Sequence, residues 1–363
     1  MKKFFFIAAM ASVAFVSCVK NDPAPSVTEQ SAITFAAPVV GNLTKAVAGE
    51  IGTAYDVNES FNVYGWYCTE NSFNPANASV YMNNVTCSYD SSIDKTEDTG
   101  SGAWIPATTY YWPKNGKLTF SAYSPSDLTA KSISNDVTTG LYIQEFSTNA
   151  DVTKQFDLLY SDRAYNKTTS IGATNDTYDG VDIVFRHALS SIHVKVKTNA
   201  EYPANTITVN DISFANVYTT ADFKENLTTG TETESNATAA WEGHMNPTSV
   251  TVGSTGVAVT STATQYGTTA LLIPQTFAAT ASKDVATLIV NYTIKNEGGT
   301  TIDQVATFSL EAPGTINGAD AGTIMQWTKG YRYTYNLVFG LNEIYFAPSV
   351  ETWYDVTMND MVI

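Results

Sequence analysis

Apolar and polar residues alternate with a period of two through most of the chain beyond residue 31. The clearest run is GYRYTYNLVFG, in which one side carries Tyr331, Tyr333, Tyr335, Leu337 and Phe339. SIHVKVK, at residues 191–197, repeats the pattern with Ile and Val against His and Lys. This period is typical of antiparallel strands that are covered on one face. No long stretch has a helical period, so we predict an all-β fold built from antiparallel β-sandwiches.

The chain length allows more than one such sandwich. It has 363 residues, enough for two domains with cores of their own. The stretch NKTTSIGATNDTYDG, residues 166–180, is rich in Thr, Asn and Gly and has few large apolar residues. We therefore predict an N-terminal sandwich domain over residues 31–178 and a C-terminal one over residues 179–363.

The first residues have the pattern of an export signal. Lys2 and Lys3 precede an apolar run over residues 4–16, which is too short to span a bilayer. The run ends in FVSC, similar to a bacterial lipobox, so residues 1–17 would be removed and Cys18 would carry lipid. An ordinary signal peptide with an incidental cysteine is the alternative. The polar residues that follow, up to residue 30, would form a tether.

The charge balance excludes one class of partner. Acidic residues outnumber basic ones by 35 to 19, which gives a net charge of -16. Nucleic-acid binding requires clustered Lys or Arg, so we expect no nucleic-acid partner. A strongly acidic surface suits a soluble exported protein.

The candidate catalytic and metal-binding motifs are weak. His187 lies near Ser190 and Ser191, but the serines sit in strand-like sequence without a sharp turn, which favours a structural histidine. Asp90, Ser92 and Asp94 have calcium-loop spacing, but lysine follows where an EF-hand needs glycine. We therefore predict no enzymatic activity, no metal and no cofactor.

The cysteines after the signal are Cys68 and Cys87. Both lie in strand-like sequence. Export makes a disulfide between them feasible, and two buried free thiols are the alternative.

Aromatic residues cluster in the first half of the chain. The cluster comprises Trp66, Trp104, Tyr110, Tyr111 and Trp112. Such residues could form a sugar-stacking platform, but aromatic residues on sandwich strands more often fill the core, and we favour the core interpretation.

Several segments, taken in order, resemble the fimbrillin-like (Mfa-like) family. The N-terminal ones are ITF with TKA, FNVYGWY, YYWPKNGKLTFSAYSP and FDLLYS; the C-terminal ones are VDIVFRHALSSIHVKVK, LLIPQ, WTKGYRYTYNLVF and EIYFAPSVETW. Each is ordinary strand sequence, and their order and spacing make the resemblance specific. It implies a subunit of a type V pilus with two transthyretin-like β-sandwich domains in tandem.

The resemblance also implies a maturation step. Family members are exported as lipoproteins, here through Cys18, and an extracellular trypsin-like protease then cuts after a basic residue beyond the first strand. Lys45 is the only basic residue between Asp22 and Asp94, which places the cut at Lys45–Ala46. Arginine is the commoner residue at this position in the family.

Removal of residues 31–45 would leave a groove that another chain can fill. The inward side of the removed strand is predicted to be Ile33, Phe35, Ala37 and Val39. The C-terminal tail is apolar where a chain terminus is usually polar, and it is predicted to be the donor strand through Val356, Met358, Met361, Val362 and Ile363.

Two functions follow. The favoured one is a structural subunit in the stalk or at the tip of a surface fimbria, with other fimbrial subunits as partners and a lipid-anchored precursor in the outer membrane. The alternative is a monomeric surface lipoprotein that binds glycans or host proteins through exposed aromatic residues.

Overall fold

The computed structural model describes residues 32–41, 53–70, 72–93, 102–168, 180–203, 206–227, 239–340 and 344–353. These residues form an all-β fold, as the alternating pattern predicts. The described helical structure consists of two short 3-10 turns, Pro75–Asn77 and Val152–Lys154. No helix in the described ranges has the length and apolar character needed to cross a bilayer.

The strands, in chain order, have the following bounds. The first eleven are β1 Val39–Gly41, β2 Thr53–Ala54, β3 Ser60–Cys68, β4 Ser79–Asp90, β5 Ala103–Pro106, β6 Lys117–Ser124, β7 Ser132–Asp136, β8 Gly140–Ser147, β9 Leu159–Ser161, β10 Ala164–Lys167 and β11 Val184–His187. The others are β12 Ser190–Thr198, β13 Ile207–Lys224, β14 Ala240–Gly253, β15 Val257–Ala258, β16 Thr264–Gln265, β17 Ala270–Leu272, β18 Thr287–Lys295, β19 Thr301–Ser309, β20 Ala312–Ile316, β21 Ala319–Ile324, β22 Tyr331–Phe339 and β23 Ile344–Thr352.

Within the described ranges these strands form three sheets. The first has the order β2-β1-β11-β9-β6-β3-β4-β5, with β10 on β6. The second has the order β16-β12-β22-β23-β20-β21, with β17 on β12. The third has the order β19-β18-β13-β8-β7, with β14 and β15 on β13.

Most strand pairs are antiparallel, as predicted, but some are parallel: β1 with β11, β12 with β22, and β20 with β23. Parallel neighbours need a long connection between them. The chain supplies one for β12 and β22, since β12 ends at Thr198 and β22 begins at Tyr331.

Three apolar clusters hold the sheets together. One lies on the inner face of the first sheet and includes Phe61 and Phe120. Another lies between the second and third sheets and includes Val194 and Leu337. The remaining one joins the first sheet to the third and includes Trp66. Because β3 contributes to two clusters, both of its faces are buried, and its sequence is apolar on both sides.

Strand pairing crosses residue 178 in both directions. β8, from the predicted N-terminal domain, pairs with β13 in the third sheet. β11, from the predicted C-terminal domain, joins the first sheet between β1 and β9. The sheets therefore do not separate at residue 178. The division of the chain at that residue and the tandem transthyretin-like arrangement stay predictions.

The two cysteines are buried free thiols. In the β3–β4 ladder Cys87 lies opposite Phe61, whereas Cys68 lies opposite Lys117 on the other side of β3. Residues 61 and 68 are seven positions apart on one strand, about 23 Å at roughly 3.3 Å per residue. A disulfide needs Cα atoms within about 7 Å, so the disulfide alternative is wrong for this fold.

Candidate functional site: the leader seam

Residues 32–41, here called the leader strand, lie between two edges of the first sheet. On one side Phe35 and Trp104 exchange backbone hydrogen bonds, with N–O distances of 2.9 and 3.1 Å. On the other side the Ala36 N–H donates to the Val181 carbonyl at 3.0 Å, and the Val181 N–H donates to the Thr34 carbonyl at 2.9 Å. Phe35 therefore bridges β5 and the segment 180–187. The space that it fills between them is called the leader seam below.

The leader strand continues as β1 along β11. Val39 lies opposite Val184, Val40 opposite Phe185, and Gly41 opposite Arg186, in parallel register. The outer edge of β1 pairs with β2, which lies beyond the predicted cleavage site. Deleting the leader strand would leave unpaired backbone groups on both β5 and β11, and such edges recruit other strands.

Two side chains anchor the leader strand in the core. Ile33 is 1% exposed and Phe35 is fully buried. The Phe35 ring makes edge contacts with Phe61 at 5.8 Å and Phe120 at 5.5 Å between ring centroids. These two residues confirm the inward side predicted for the first half of the strand.

The second half of the leader strand has the opposite facing from the prediction. Ala37 and Val39 are exposed, whereas Pro38 is buried and Val40 packs against the first-sheet cluster. The Ala36 N–H donates to the Val181 carbonyl, and the Val39 N–H donates to the Ile183 carbonyl. These two hydrogen bonds are three residues apart on the leader strand but only two residues apart on its partner. One extra residue forms a bulge and reverses the facing, and Pro38 is tolerated there because it has no N–H.

Gly180 allows the leader strand to approach closely. Its φ is +104°, and an added Cβ would lie 2.5 Å from the Ala36 nitrogen and 2.6 Å from the Phe35 carbonyl carbon. We expect Gly180→Ala to lower the free energy of unfolding by about 2 kcal/mol. The added methyl group strains the backbone at this positive φ and clashes with the leader strand. Urea unfolding measures this change.

Gly299 provides the matched control for this prediction. Its φ is +83°, and an added Cβ would meet nothing within 4 Å. Gly299→Ala therefore carries the backbone strain alone. Equal losses in the two variants would show that the close approach of the leader strand contributes nothing.

A buried ion pair lies beside the end of the leader strand. The Arg186 Nε donates to both Asp162 oxygens at 3.2 and 3.1 Å, and Nη2 donates at 2.5 Å. Each side chain is 9% exposed. A methyl group on Gly41 would lie 3.4 Å from the Arg186 Nη1, so the leader backbone covers the guanidinium. Breaking a buried pair of this kind is strongly destabilising.

A second cationic group lies in the same buried region. The Lys329 ammonium donates to the Tyr160 hydroxyl at 2.8 Å. Burial, followed by the charge of Arg186, lowers the pKa of Lys329 to about 8. Burial also raises the pKa of the Tyr160 hydroxyl. The leader seam therefore ends at a desolvated set of charges rather than at open solvent.

The structure does not bring together the candidate nucleophile and base. The His187 ring is hydrogen-bonded to the Asp157 carboxylate, and the Ser190 hydroxyl donates to the Thr328 carbonyl. The Ser191 hydroxyl is hydrogen-bonded to His193 instead of His187. In the candidate calcium loop, Ser92 donates to Asp90, an ordinary turn contact; Asp94 lies outside the described residues. Among the residues that are described, no cluster of three His, Cys, Asp or Glu side chains could hold a metal ion.

The aromatic cluster is mostly core. Trp66 and Trp104 are each 2% exposed and Trp112 is 5% exposed, whereas Tyr110 is half-buried and Tyr111 is exposed. The core interpretation is therefore confirmed for the tryptophans.

Several predicted residues lie outside the described ranges. They are Cys18, Lys45, Ala46, Val356, Met358, Met361, Val362 and Ile363. Sequence reasoning also missed the residues that form the other side of the seam, Gly180, Val181 and Ile183. The alternating run VDIVF was their only sequence signal.

The fold and the seam define a class: an all-β protein in which the first described strand fills a gap between two sheet edges. A sequence profile described as fimbrillin-like matches residues 44–353. The chain therefore belongs to the fimbrillin-like family. No curated protein sequence matches it.

At least one similar solved structure shares this fold. A fimbrial protein from Bacteroides vulgatus is 17% identical, with a TM-score of 0.53 over 88% of this chain and 99% of that one. A fimbrilin from Porphyromonas gingivalis is 12% identical, with a TM-score of 0.44 over 90% of this chain and 98% of that one.

Proposed function

We propose that the protein is a structural subunit, in the stalk or at the tip, of a type V surface fimbria. It is exported as a lipoprotein through Cys18 and held in the outer membrane as a precursor. A trypsin-like protease cuts after Lys45 and releases the leader strand. The subunits then polymerise by strand exchange with other fimbrial subunits. The role is architectural rather than enzymatic.

The observation that carries this proposal is the position of the leader strand between β5 and the segment 180–187. Ile33 and Phe35 are buried, and burial of such side chains contributes roughly 1.5–3 kcal/mol each. Backbone hydrogen bonds on both sides add about 1 kcal/mol apiece. A strand from another chain that fills the seam restores both the apolar burial and the backbone hydrogen bonds. Such strand addition is β-augmentation, here used for assembly.

Cleavage controls the timing of assembly in this mechanism. While the leader strand fills the seam, no other strand can pair with β5 or β11, so the precursor stays monomeric. After cleavage at Lys45–Ala46, β2 remains with the mature chain and residues up to Lys45 can leave. The C-terminal segment of a neighbour supplies the donor strand through its apolar residues Val356, Met358, Met361, Val362 and Ile363.

Limited trypsin digestion of the purified full chain tests the proposal. We expect a ladder of oligomers on a gel of unboiled samples, because released leader strands leave open seams. Lys45→Gln should abolish the ladder. Lys195→Gln, at an exposed lysine on β12 in the second sheet, is the matched control and should leave the ladder unchanged.

A stable monomer after confirmed release of the leader strand would overturn the proposal. That result would support the alternative, a monomeric surface lipoprotein that binds glycans or host proteins. The burial of Trp66, Trp104 and Trp112 leaves that alternative with few exposed aromatic residues from the predicted cluster.

A further inference from the structure

β11 connects the leader seam to the C-terminal end of the described chain. Its residues Val184–Arg186 pair with Val39–Gly41 of the leader strand. The next residue, His187, stacks on the indole of Trp353, with 3.7 Å between ring centroids and 9° between planes. Trp353 directly precedes residues 354–363, which contain the predicted donor strand. One short strand therefore contacts both the leader strand and the residue that precedes the predicted donor strand.

The ring contact with His187 and three hydrogen bonds hold Trp353 against β11 and the turn that follows it; this arrangement is called the Trp353 stack below. The His187 Nδ1 lies 2.5 Å from an Asp157 carboxylate oxygen, which orients the imidazole against the indole. The Trp353 backbone N–H donates to the Gly330 carbonyl at 3.1 Å, and the Gly330 backbone N–H donates to the Leu189 carbonyl at 2.8 Å. His187 is 7% and Trp353 9% exposed.

Arg186, which pairs with Gly41 of the leader strand, directly precedes His187 on β11. Its guanidinium is covered by Gly41 and bonded to Asp162, which is next to β9. Loss of the leader strand would bring water to this ion pair. It would also leave β9 as the only sheet neighbour of β11 in the described part of the chain. A short strand paired on one side opens more readily than one paired on both.

We propose that β11 couples the leader seam to the Trp353 stack. An occupied seam stabilises the stack, and an empty seam loosens it, so that Trp353 is held less firmly once the leader strand has left. This inference rests on the proposed function for its biological meaning. The coupling itself is a property of the single chain, and it must be reciprocal: loosening the stack must also loosen the leader strand.

Hydrogen exchange of the intact full-length chain tests the coupling in both directions. Phe35→Ala loosens the leader strand, and Val40→Ser is a milder second variant that keeps the test valid if the first fails to fold. We expect exchange over residues 349–353 to rise roughly tenfold relative to β13, whose amides report global opening; coupling between sites is typically 5- to 150-fold. Leu288→Ala, a core truncation in β18, should produce no such local rise.

The reciprocal variant is His187→Ala, which removes the ring that stacks on Trp353. Exchange over residues 33–40 should rise by a similar factor relative to β13. His193→Ala, at a histidine on β12 whose ring is hydrogen-bonded to Ser191 and Gln265, is the matched control.

An unchanged rate in either direction overturns the coupling, because linkage has to act both ways. The gel assay is independent of this result. A missing ladder with faster exchange in both directions would reject the assembly mechanism and keep the coupling. A ladder with unchanged exchange rates would support the assembly mechanism and reject the coupling.

Discussion

Phe35→Ala should lower the free energy of unfolding of the precursor by roughly 3–5 kcal/mol, the usual cost of truncating a buried phenylalanine. Phe35 is fully buried, and it contacts the rings of Phe61 and Phe120. The truncation leaves a cavity between the leader strand and the first sheet. Urea unfolding of the full-length chain measures the loss.

Val39→Ala on the same strand is the matched control. Val39 is 37% exposed, because the bulge near Pro38 turns it outward. Exposed substitutions of this kind usually change stability by less than about 0.5 kcal/mol. A loss for Val39→Ala as large as that for Phe35→Ala would mean that the strand alternates without a bulge, and the described register would be wrong.

The second large effect concerns Glu225, a carboxyl group at the end of β13 that is 1% exposed. One of its oxygens accepts the Leu141 N–H at 2.8 Å, and the other has no hydrogen-bond partner in the described part of the chain. Burial raises the pKa of Glu225 to about 7, against the lowering effects of the Leu141 N–H and of Arg163.

The sign of the resulting pH dependence follows from linkage. Between the ordinary pKa of 4.5 and about 7, the folded state holds a proton that the unfolded state releases. The stabilisation from this group is therefore complete below pH 4.5 and is lost as the pH rises to about 7. The loss amounts to about 3 kcal/mol, since each pKa unit corresponds to about 1.4 kcal/mol.

Glu225→Gln removes this ionisation. We expect the variant to exceed the native protein in unfolding free energy by about 3 kcal/mol at pH 7.5, and the difference to shrink toward pH 4.5. Urea unfolding across this range, with the exposed Glu297→Gln as control, measures the difference. A difference that is constant across pH would show that Glu225 ionises in the folded state as it does in water.

The strand prediction succeeded where one face of a strand meets one core. In β22, Tyr333, Tyr335, Leu337 and Phe339 are buried, as their alternation predicts. It failed in the leader strand beyond Phe35, because a bulge depends on the spacing of hydrogen bonds in the partner strand, which local sequence does not contain. The partner segment itself lies nearly 150 residues further along the chain.

The residues of the seam also separate into those that local sequence predicts and those that only the tertiary structure places. The apolar pattern of residues 33–35 was sufficient to place a buried strand there, and Lys45 stood out by its isolation among residues without basic side chains. Gly180 and Trp104 could not be assigned to the seam from sequence, because their roles come from backbone distances between segments that are remote in the chain.

The sequence by itself determined that the chain is all-β and which short segments are strands, because side-chain alternation is a local property that follows from the pleat. It also marked a first strand that ends near a single basic residue. Only the tertiary structure decided which two edges that strand joins, where its facing reverses, and that sheets cross residue 178. Those outcomes depend on pairing between distant segments, whose register is set by the cores that they share.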